Sequence, residues 1–194
     1  MSLAKIYTGK TYTVNKEIEK LRNLSEKIQF IQFSPKGDYF LFSIVTWEFS
    51  ASFIVSTLQT PHKPQEFPIP FSHIYWNPFN TCMLNINGPG MYGPSFTLGE
   101  IKNKPEFFSL ELSRENDPLP DNLDSEKIKV YWDNDCSGIV YLEEDIQFKD
   151  TDQASSGYYS FDSKKQNLQK LSIPPNIATY KQSPAENQIQ VYSQ

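Results

Sequence analysis

Short runs of alternating apolar and polar residues recur along the chain, and a polar break interrupts each one before a second apolar run begins. The first run, 28–33, reads Ile-Gln-Phe-Ile-Gln-Phe, and a Ser-Pro-Lys-Gly turn separates it from the run at 39–45. Alternation with a period of two predicts strands with one buried face, and the turn residues predict a hairpin. The arrangement returns at 74–86 and 128–143, and more faintly at 177–192. The pattern therefore predicts an all-β protein built from repeated hairpins.

The polar breaks are regularly spaced. They fall at Ser34, Asn77, Asp133 and Ser183, about 43, 56 and 50 residues apart, and a repeat of about 40–50 residues with four strands is typical of β-propeller blades. The chain holds too few repeats to close a propeller. We therefore expect a partial, open β-propeller of about three four-stranded blades, with half a blade at each end.

Each repeat divides into four strands, A to D. The predicted strands are 28–33, 39–45, 51–58 and 65–69 in the first blade, 74–76, 81–86, 95–101 and 106–112 in the second, and 128–132, 138–143, 158–162 and 168–173 in the third. The predicted divisions are a C–D hairpin of a preceding blade with a linker at 1–26, blades at 27–70 and 71–113, an acidic loop at 114–126, a blade at 127–174, and the first two strands of a further blade at 175–194.

Two expectations concern the ends of these segments. Within the linker, 15–26 carries apolar residues at spacings of three, which allows a short helix, with an irregular connection as the alternative. An open propeller leaves unpaired strand edges. The chain is therefore expected to be a fragment of a longer protein, or to pair its open edges with missing blades or another chain.

Composition agrees with this fold and narrows the class. Aromatic residues make up 14% of the chain, and they favour pleated, half-buried surfaces. The net charge of −5 argues against a uniformly basic nucleic-acid-binding protein. Neither a secretory signal nor an apolar run of membrane-spanning length is visible. Cys82 and Cys136 occupy matching places in two repeats, and they are expected to be reduced core thiols in a cytoplasmic protein.

Patterns for catalysis or cofactor binding are weak. Segment 88–93 contains G-x-G-x-x-G, but a dinucleotide site needs a following helix, and 94–98 predicts a strand, so a mobile B–C loop is expected. His62 and His73 have no zinc-spaced partners, and no G-x-S-x-G sequence occurs. Paired carboxylates indicate solvated loops, with calcium binding as the weak alternative. We expect no enzymatic activity, no cofactor and no metal.

Tryptophan positions repeat with the blades. Trp76 and Trp132 end the A strands of successive blades, which predicts packing between blades rather than a base-stacking surface. Trp47 begins a B–C loop and is expected to be more exposed.

Strand order predicts a charge difference between the two rims of the blades. The A–B and C–D turns share one rim, which collects lysines with little acid between them, namely Lys10, Lys36, Lys63, Lys102, Lys104, Lys164 and Lys165. The opposite rim collects acidic residues, namely Glu48, Glu115, Asp117, Asp121, Asp124, Asp150 and Asp152. The lysine rim is a candidate contact for RNA phosphates, and the alternative is that turns are simply polar.

The third repeat resembles a known family. The sequences Lys-Ile-Lys-Val-Tyr-Trp-Asp at 127–133, Gly-Ile-Val-Tyr-Leu at 138–142 and Ser-Gly-Tyr-Tyr-Ser at 156–160 are similar to the central propeller of eukaryotic translation initiation factor 2A. Gly-Met-Tyr-Gly-Pro-Ser-Phe at 90–96 is similar to that family's glycine-rich loop. The resemblance covers about 74–192. The related propeller of the b subunit of initiation factor three ranks second.

The resemblance implies a cytosolic, non-enzymatic factor that associates with the small ribosomal subunit, initiator tRNA, mRNA and other initiation factors. The chain carries neither the remaining blades nor the basic C-terminal region of that family, and blade motifs mark a fold rather than contact residues. One alternative class is a generic protein–protein scaffold that uses the same blades without contacting RNA. Another is a hydrolase with a propeller cap, which requires a catalytic domain beyond residue 194.

Overall fold

The computed structural model describes residues 2–6, 10–13, 27–45, 50–58, 64–68, 71–90, 93–101, 105–112, 119–120, 123–124, 126–143 and 156–184. The chain divides into two units, 1–70 with 187–194 and 71–186, and each is described by itself below. The helix considered at 15–26 and the environment of Trp47 lie outside the described residues.

The first unit begins with an antiparallel hairpin of β1 (Ser2–Ile6) and β2 (Lys10–Thr13). A hairpin was expected here as the remnant of an earlier blade. In this hairpin Ser2 faces Thr13 and Ile6 faces Lys10.

The first four-stranded sheet follows in the same unit, and all of its neighbours are antiparallel. Its strands, in chain and spatial order, are β3 (Lys27–Phe33), β4 (Tyr39–Val45), β5 (Ser50–Ser56) and β6 (Pro64–Phe67). Four aromatic rings, Phe33, Phe40, Phe42 and Phe53, stack across this sheet with centroids 5.1–5.8 Å apart. Cross-strand aromatic contacts of this kind stabilise a sheet beyond simple burial, so they anchor the pairing of β3, β4 and β5.

The second unit opens with another antiparallel four-stranded sheet. Its strands are β7 (His73–Trp76), β8 (Cys82–Gly90), β9 (Gly93–Glu100) and β10 (Glu106–Ser109). The expected mobile loop at 88–93 is wrong for its described residues, because β8 and β9 continue as paired strands until Gly90 faces Gly93. A strand, not a helix, follows these glycines, as predicted.

The third sheet contains six strands. They are β11 (Glu111–Leu112), β12 (Lys129–Trp132), β13 (Gly138–Leu142), β14 (Gly157–Asp162), β15 (Asn167–Lys170) and β16 (Lys181–Gln182), in the spatial order β11-β15-β14-β13-β12-β16. The four central strands are consecutive and antiparallel. Each of the twelve predicted A–D strands of the three repeats therefore has an observed counterpart, with bounds that differ by up to four residues.

The β15 edge of the central four strands of the third sheet is covered by a strand from the preceding repeat. The predicted D strand at 106–112 ends early, since Leu110 makes the last backbone bond to β9 and Glu111 N–H donates instead to the Gln166 carbonyl (3.2 Å). Leu110 is buried in the core of the second unit. This buried anchor lets β11 cross to the neighbouring sheet and pair in parallel with β15.

The β12 edge of the same four strands is covered by the segment expected to open a further blade. In the described part of 175–194, a 3-10 helix over Ile177–Thr179 leads into β16, which pairs antiparallel with β12. Ser183 N–H donates to the Val130 carbonyl (2.8 Å), and its hydroxyl accepts from Trp132 Nε1 (2.7 Å). A buried indole N–H needs an acceptor, so Ser183 binds this segment to the existing sheet.

The two sheets of the second unit share one apolar core. It takes alternate residues from each sheet, among them Leu84, Ile86, Phe96 and Leu98 from one and Val130, Trp132, Val140, Leu142, Tyr159, Phe161 and Leu168 from the other. Trp132 is completely buried in this core, as predicted, and it meets Phe161 of its own sheet edge-on at 5.1 Å. Trp76 is also buried, at 3% exposure.

A backbone hydrogen bond closes the turn between the first two strands in all three sheets, to the residue five positions later in the first two sheets and four positions later in the third. The closing bonds run from Ser34 N–H to the Tyr39 carbonyl (3.0 Å), from Asn77 N–H to the Cys82 carbonyl (2.9 Å) and from Asp133 N–H to the Ser137 carbonyl (3.0 Å). The third residue after each break is left-handed, namely Gly37 (φ 75°), Asn80 (φ 68°) and Cys136 (φ 62°). The repeat inferred from polar breaks is therefore a repeat of backbone geometry.

The oxidation state of the two cysteines differs from the prediction. Cys82 and Cys136 are joined by a disulfide, with Cα atoms 5.7 Å apart, so the prediction of two reduced thiols is wrong. Their matching places in two repeats are the reason, because both lie at the A–B turns of sheets that share a core. The bond connects positions 54 residues apart and ties the two sheets of the second unit together.

Gly37 tests the backbone requirement of these turns. A Cβ at Gly37 would meet no atom within 4 Å, so its φ of +75° is the only obstacle to a side chain. We expect Gly37→Ala to lower the free energy of unfolding by about 1 kcal/mol. Gly37→Asn is the matched control, and it should lose much less, because asparagine tolerates this conformation and already occupies it at Asn80. Urea unfolding measures both, and equal losses would contradict the conformational explanation.

Candidate functional site

The structure describes four of the seven lysines proposed to contact RNA. Lys10 begins β2 and Lys36 is exposed in the β3–β4 turn, both in the first unit. Lys164 and Lys165 are exposed side by side in the β14–β15 turn of the second unit. Lys63, Lys102 and Lys104 lie outside the described residues. Lys164 and Lys165 are therefore the pair around which a site can be built.

The β14–β15 turn holds these two lysines in a fixed arrangement. Asp162 accepts backbone N–H bonds from Lys164 (2.8 Å) and Lys165 (3.2 Å) on the same carboxylate oxygen, and Gln166 completes the turn with φ of 52°. An aspartate that accepts bonds from the residues two and three positions later is a common turn device. It orders the backbone beneath both ammonium groups.

The β12–β13 turn packs against it from the same end of the sheet. Asp133 Oδ1 accepts backbone bonds from Asp135 (3.0 Å) and Ser137 (3.2 Å). Asp135 then reaches the neighbouring turn twice, since its carboxylate pairs with Lys164 Nζ (2.8 Å) and its carbonyl accepts from the Ser163 hydroxyl (3.3 Å). We call these two turns, 133–137 and 162–166, the paired turns.

The electrostatics of the paired turns differ from the predicted lysine rim. Lys164 pairs with Asp135, and Lys165 lies 3.8 Å from Asp162, so the expectation of little acid between these lysines is wrong. Both ion pairs are largely exposed, so each contributes little to stability. The result is a surface of mixed charge in which three aspartates surround two lysines.

The pKa values of the aspartates are shifted in opposite directions. Burial is the main cause that raises the pKa of Asp133 above its ordinary value; the Asp135 carboxylate adds to this, and the backbone N–H bonds from Asp135 and Ser137 oppose it. The pKa of Asp135 is lowered, mainly by its bond from Lys164, and that bond raises the pKa of Lys164. A proton taken up between them therefore goes to Asp133 while Asp135 keeps its charge for the lysine.

A second charged cluster lies at the opposite end of the same sheet. Lys127 Nζ pairs with Glu143 (2.6 Å) and Asp124 (3.1 Å), and the Tyr141 hydroxyl donates to Glu143 (3.1 Å). These bonds raise the pKa of Lys127 and lower that of Glu143. Asp124 is the described member of the predicted acidic rim, and it too has an opposite charge beside it. The other six acidic residues of that rim lie outside the described residues.

Sequence reasoning found the lysines and missed the aspartates beside them. Asp133 was recognised only as a break between strands, and Asp135 and Asp162 were not assigned to a rim. The available signal was the Asp-Asn-Asp sequence at 133–135, since aspartates favour turns and strand order places this turn beside Lys164.

Over the described ranges, no group of three histidine, cysteine or acidic residues is placed to hold a metal ion. Within the same part of the chain, no helix has the length and apolar character needed to cross a bilayer. No protein-family model, curated protein or solved structure matches this sequence.

Asp133 tests the geometry of the paired turns. Asp133→Asn should keep the two accepted backbone bonds, as Asn77 does in the equivalent turn, where its Oδ1 accepts from Thr81 (2.9 Å) and Cys82 (3.1 Å). Asp133→Ala loses both bonds and should cost about 1–2 kcal/mol. Chemical unfolding followed by tryptophan fluorescence at pH 7 compares the variants with the parent protein.

The pH dependence of Asp133→Asn has a definite sign. Because the pKa of Asp133 is raised on folding, its ionisation destabilises the folded protein as pH rises through that value, and below the unfolded pKa it has no effect. The asparagine variant should therefore gain stability relative to the parent between acidic and neutral pH. A constant difference across this range, or a loss as large as that of Asp133→Ala, would contradict the assignment.

Proposed function

We propose that this chain is part of a non-catalytic interaction scaffold, an open β-propeller of the kind that the resemblance to initiation factor 2A implies. The observation that carries the proposal is the threefold repetition of one unit, with the same strand order and a left-handed residue at the same position of its first turn. Such repetition is typical of folds that present their turns and loops to partners.

Packing in the second unit supports the same proposal. Its two four-stranded meanders share one core through Trp132 and the residues around it, as neighbouring propeller blades do. The first unit holds a third meander of the same design. Radial arrangement of all three sheets, with further blades supplied by the rest of a longer protein, belongs to this proposal.

In its translational form, the scaffold works in the cytoplasm, on the small ribosomal subunit, near initiator tRNA, mRNA and other initiation factors. The candidate RNA contacts remain Lys10, Lys36, Lys63, Lys102, Lys104, Lys164 and Lys165. Lys164 and Lys165 support this form because their turn is ordered and their ammonium groups are about three-quarters exposed. Ion pairs this exposed exchange readily for phosphate contacts.

A second candidate is a scaffold that binds protein without contacting RNA. The paired turns favour it, because Asp133, Asp135 and Asp162 offset the charges of the two lysines. A surface of interspersed signs gives electrostatic complementarity to a protein partner and little attraction for a polyanion.

Co-sedimentation with small ribosomal subunits separates the two candidates. We expect the full chain to bind at low salt and to be released as salt rises, with the logarithm of the affinity falling by about 0.7–0.9 per phosphate contact for each unit of log salt. Lys164→Ala combined with Lys165→Ala should weaken binding and reduce that slope by about two contacts. Lys127→Ala is the matched control, since Lys127 is an ion-paired lysine at the opposite end of the same sheet.

Two outcomes would contradict the translational form. One is the absence of co-sedimentation at low salt, which favours the protein scaffold. The other is an equal effect of the control and the double variant, which removes the paired turns as the contact.

A further inference from the structure

The disulfide between Cys82 and Cys136 joins two very different environments. Cys82 is the first residue of β8 and is completely buried, and its backbone N–H is held by the Asn77 side chain (3.1 Å). Cys136 is only partly buried, at the tip of the 133–137 turn. One half of the bond therefore belongs to the core, and the other half belongs to the surface of the paired turns.

The two turns also differ in how well the residue at the left-handed position suits that conformation. The left-handed position is occupied by Asn80 in one turn and by Cys136 in the other. Asparagine tolerates this conformation, whereas cysteine adopts it unfavourably and needs its surroundings to hold it there. The disulfide is one such restraint on Cys136, and the bonds accepted by Asp133 are the other.

We propose that Cys136 is a thiol-exchange site, at which low-molecular-weight thiols of the glutathione class open the bond to Cys82 and modify Cys136. The proposal is independent of the function proposed above. It depends on the accessible position of Cys136, the buried position of Cys82 and the backbone that reduction would release.

The small thiol is the only reductant that the exchange requires. Its thiolate attacks Cys136 Sγ, a new sulfur–sulfur bond forms, and Cys82 Sγ leaves with the electron pair and takes a proton from water. A second small thiol then attacks the mixed disulfide at the sulfur of the first one. This step yields the oxidised disulfide of the small thiol and leaves Cys136 as a free thiol after proton uptake, so two electrons have reduced one disulfide.

Access from solvent decides which of the two sulfur atoms the small thiol attacks. Attack on Cys136 requires approach only to the surface turn, while attack on Cys82 requires entry into a core shared with Leu84, Val130 and Trp132. After the bond opens, Cys82 remains buried as a small apolar side chain. The 133–137 turn loses its covalent restraint, so the left-handed Cys136 can relax and the Asp135–Lys164 pair can loosen with it.

Mass spectrometry of mixed disulfides tests which cysteine the small thiol modifies. The folded, oxidised chain is incubated with glutathione at neutral pH, quenched in acid with N-ethylmaleimide and digested without reductant. We expect glutathione on Cys136 to exceed glutathione on Cys82 by at least about tenfold, because access decides which sulfur is attacked. The same reaction in denaturant is the control, and there the ratio should fall to about one.

Amide hydrogen exchange tests whether reduction loosens the 133–137 turn. Full reduction with a phosphine should speed amide exchange in 133–137, including Asp135 and Ser137, and leave the turn at 77–82 unchanged. Cys136→Ser removes the bond and keeps the left-handed strain, so it should reproduce the folded, reduced state. Cys136→Gly removes the bond and relieves the strain, so it should lose less stability than Cys136→Ser.

Several results would overturn the proposal. They are equal or greater modification of Cys82 in the folded protein, resistance of the folded disulfide to glutathione under conditions that open it in denaturant, and equal acceleration of exchange in both turns. Purified chain with two free thiols that a mild oxidant cannot join would also overturn it.

Discussion

The structure depends on closing one turn correctly in each repeat. Ser34, Asn77 and Asp133 each end a first strand, bond across the turn with their backbone, and accept a backbone N–H with their side chain. A left-handed residue three positions after each break helps to reverse the chain, and the closing backbone bond fixes the register of the hairpin. Because side chains alternate across a strand, a slip of one residue would move every apolar side chain to the wrong face. The shared core around Trp132 therefore requires these turns as much as it requires its own apolar residues.

Much of this arrangement could be predicted from the sequence, because alternation and polar breaks are local signals. The strands at 39–45 and 128–132 were found within a residue or two, since each is bounded by turn residues on one side and an apolar run on the other. Pairing between repeats was not predictable in this way. Nothing local to Glu111 says that it leaves its own sheet, and nothing local to Ser183 says that it binds the indole of Trp132. These contacts depend on which edges the tertiary fold brings within reach.

The charged surface shows the same limit. Strand order alone placed Lys164 and the 133–137 turn at one end of the sheet, and the structure agrees. The predicted charge difference places acidic residues on the opposite rim and assigns Asp135 and Asp162 to neither rim, although both help to form this surface. In the paired turns each aspartate has a structural task as well, since Asp133 and Asp162 hold backbone N–H groups. Turn chemistry thus supplies acid in both of these turns, and neither Lys164 nor Lys165 stands as an isolated positive charge.

The disulfide bears on where the scaffold can work. Stable disulfides are rare in the cytoplasm, where those that form are usually transient or redox-sensing, whereas they are ordinary in oxidising compartments. A permanent bond between Cys82 and Cys136 would therefore conflict with a role on the ribosome. The exchange proposed at Cys136 would remove the conflict, because the reduced protein would keep Cys82 in its core and release only the 133–137 turn. That turn carries Asp135, the partner of Lys164, so the proposed exchange and the proposed RNA contact would act on the same ion pair. The redox state of the bond and the charge offered by this surface turn would then be coupled.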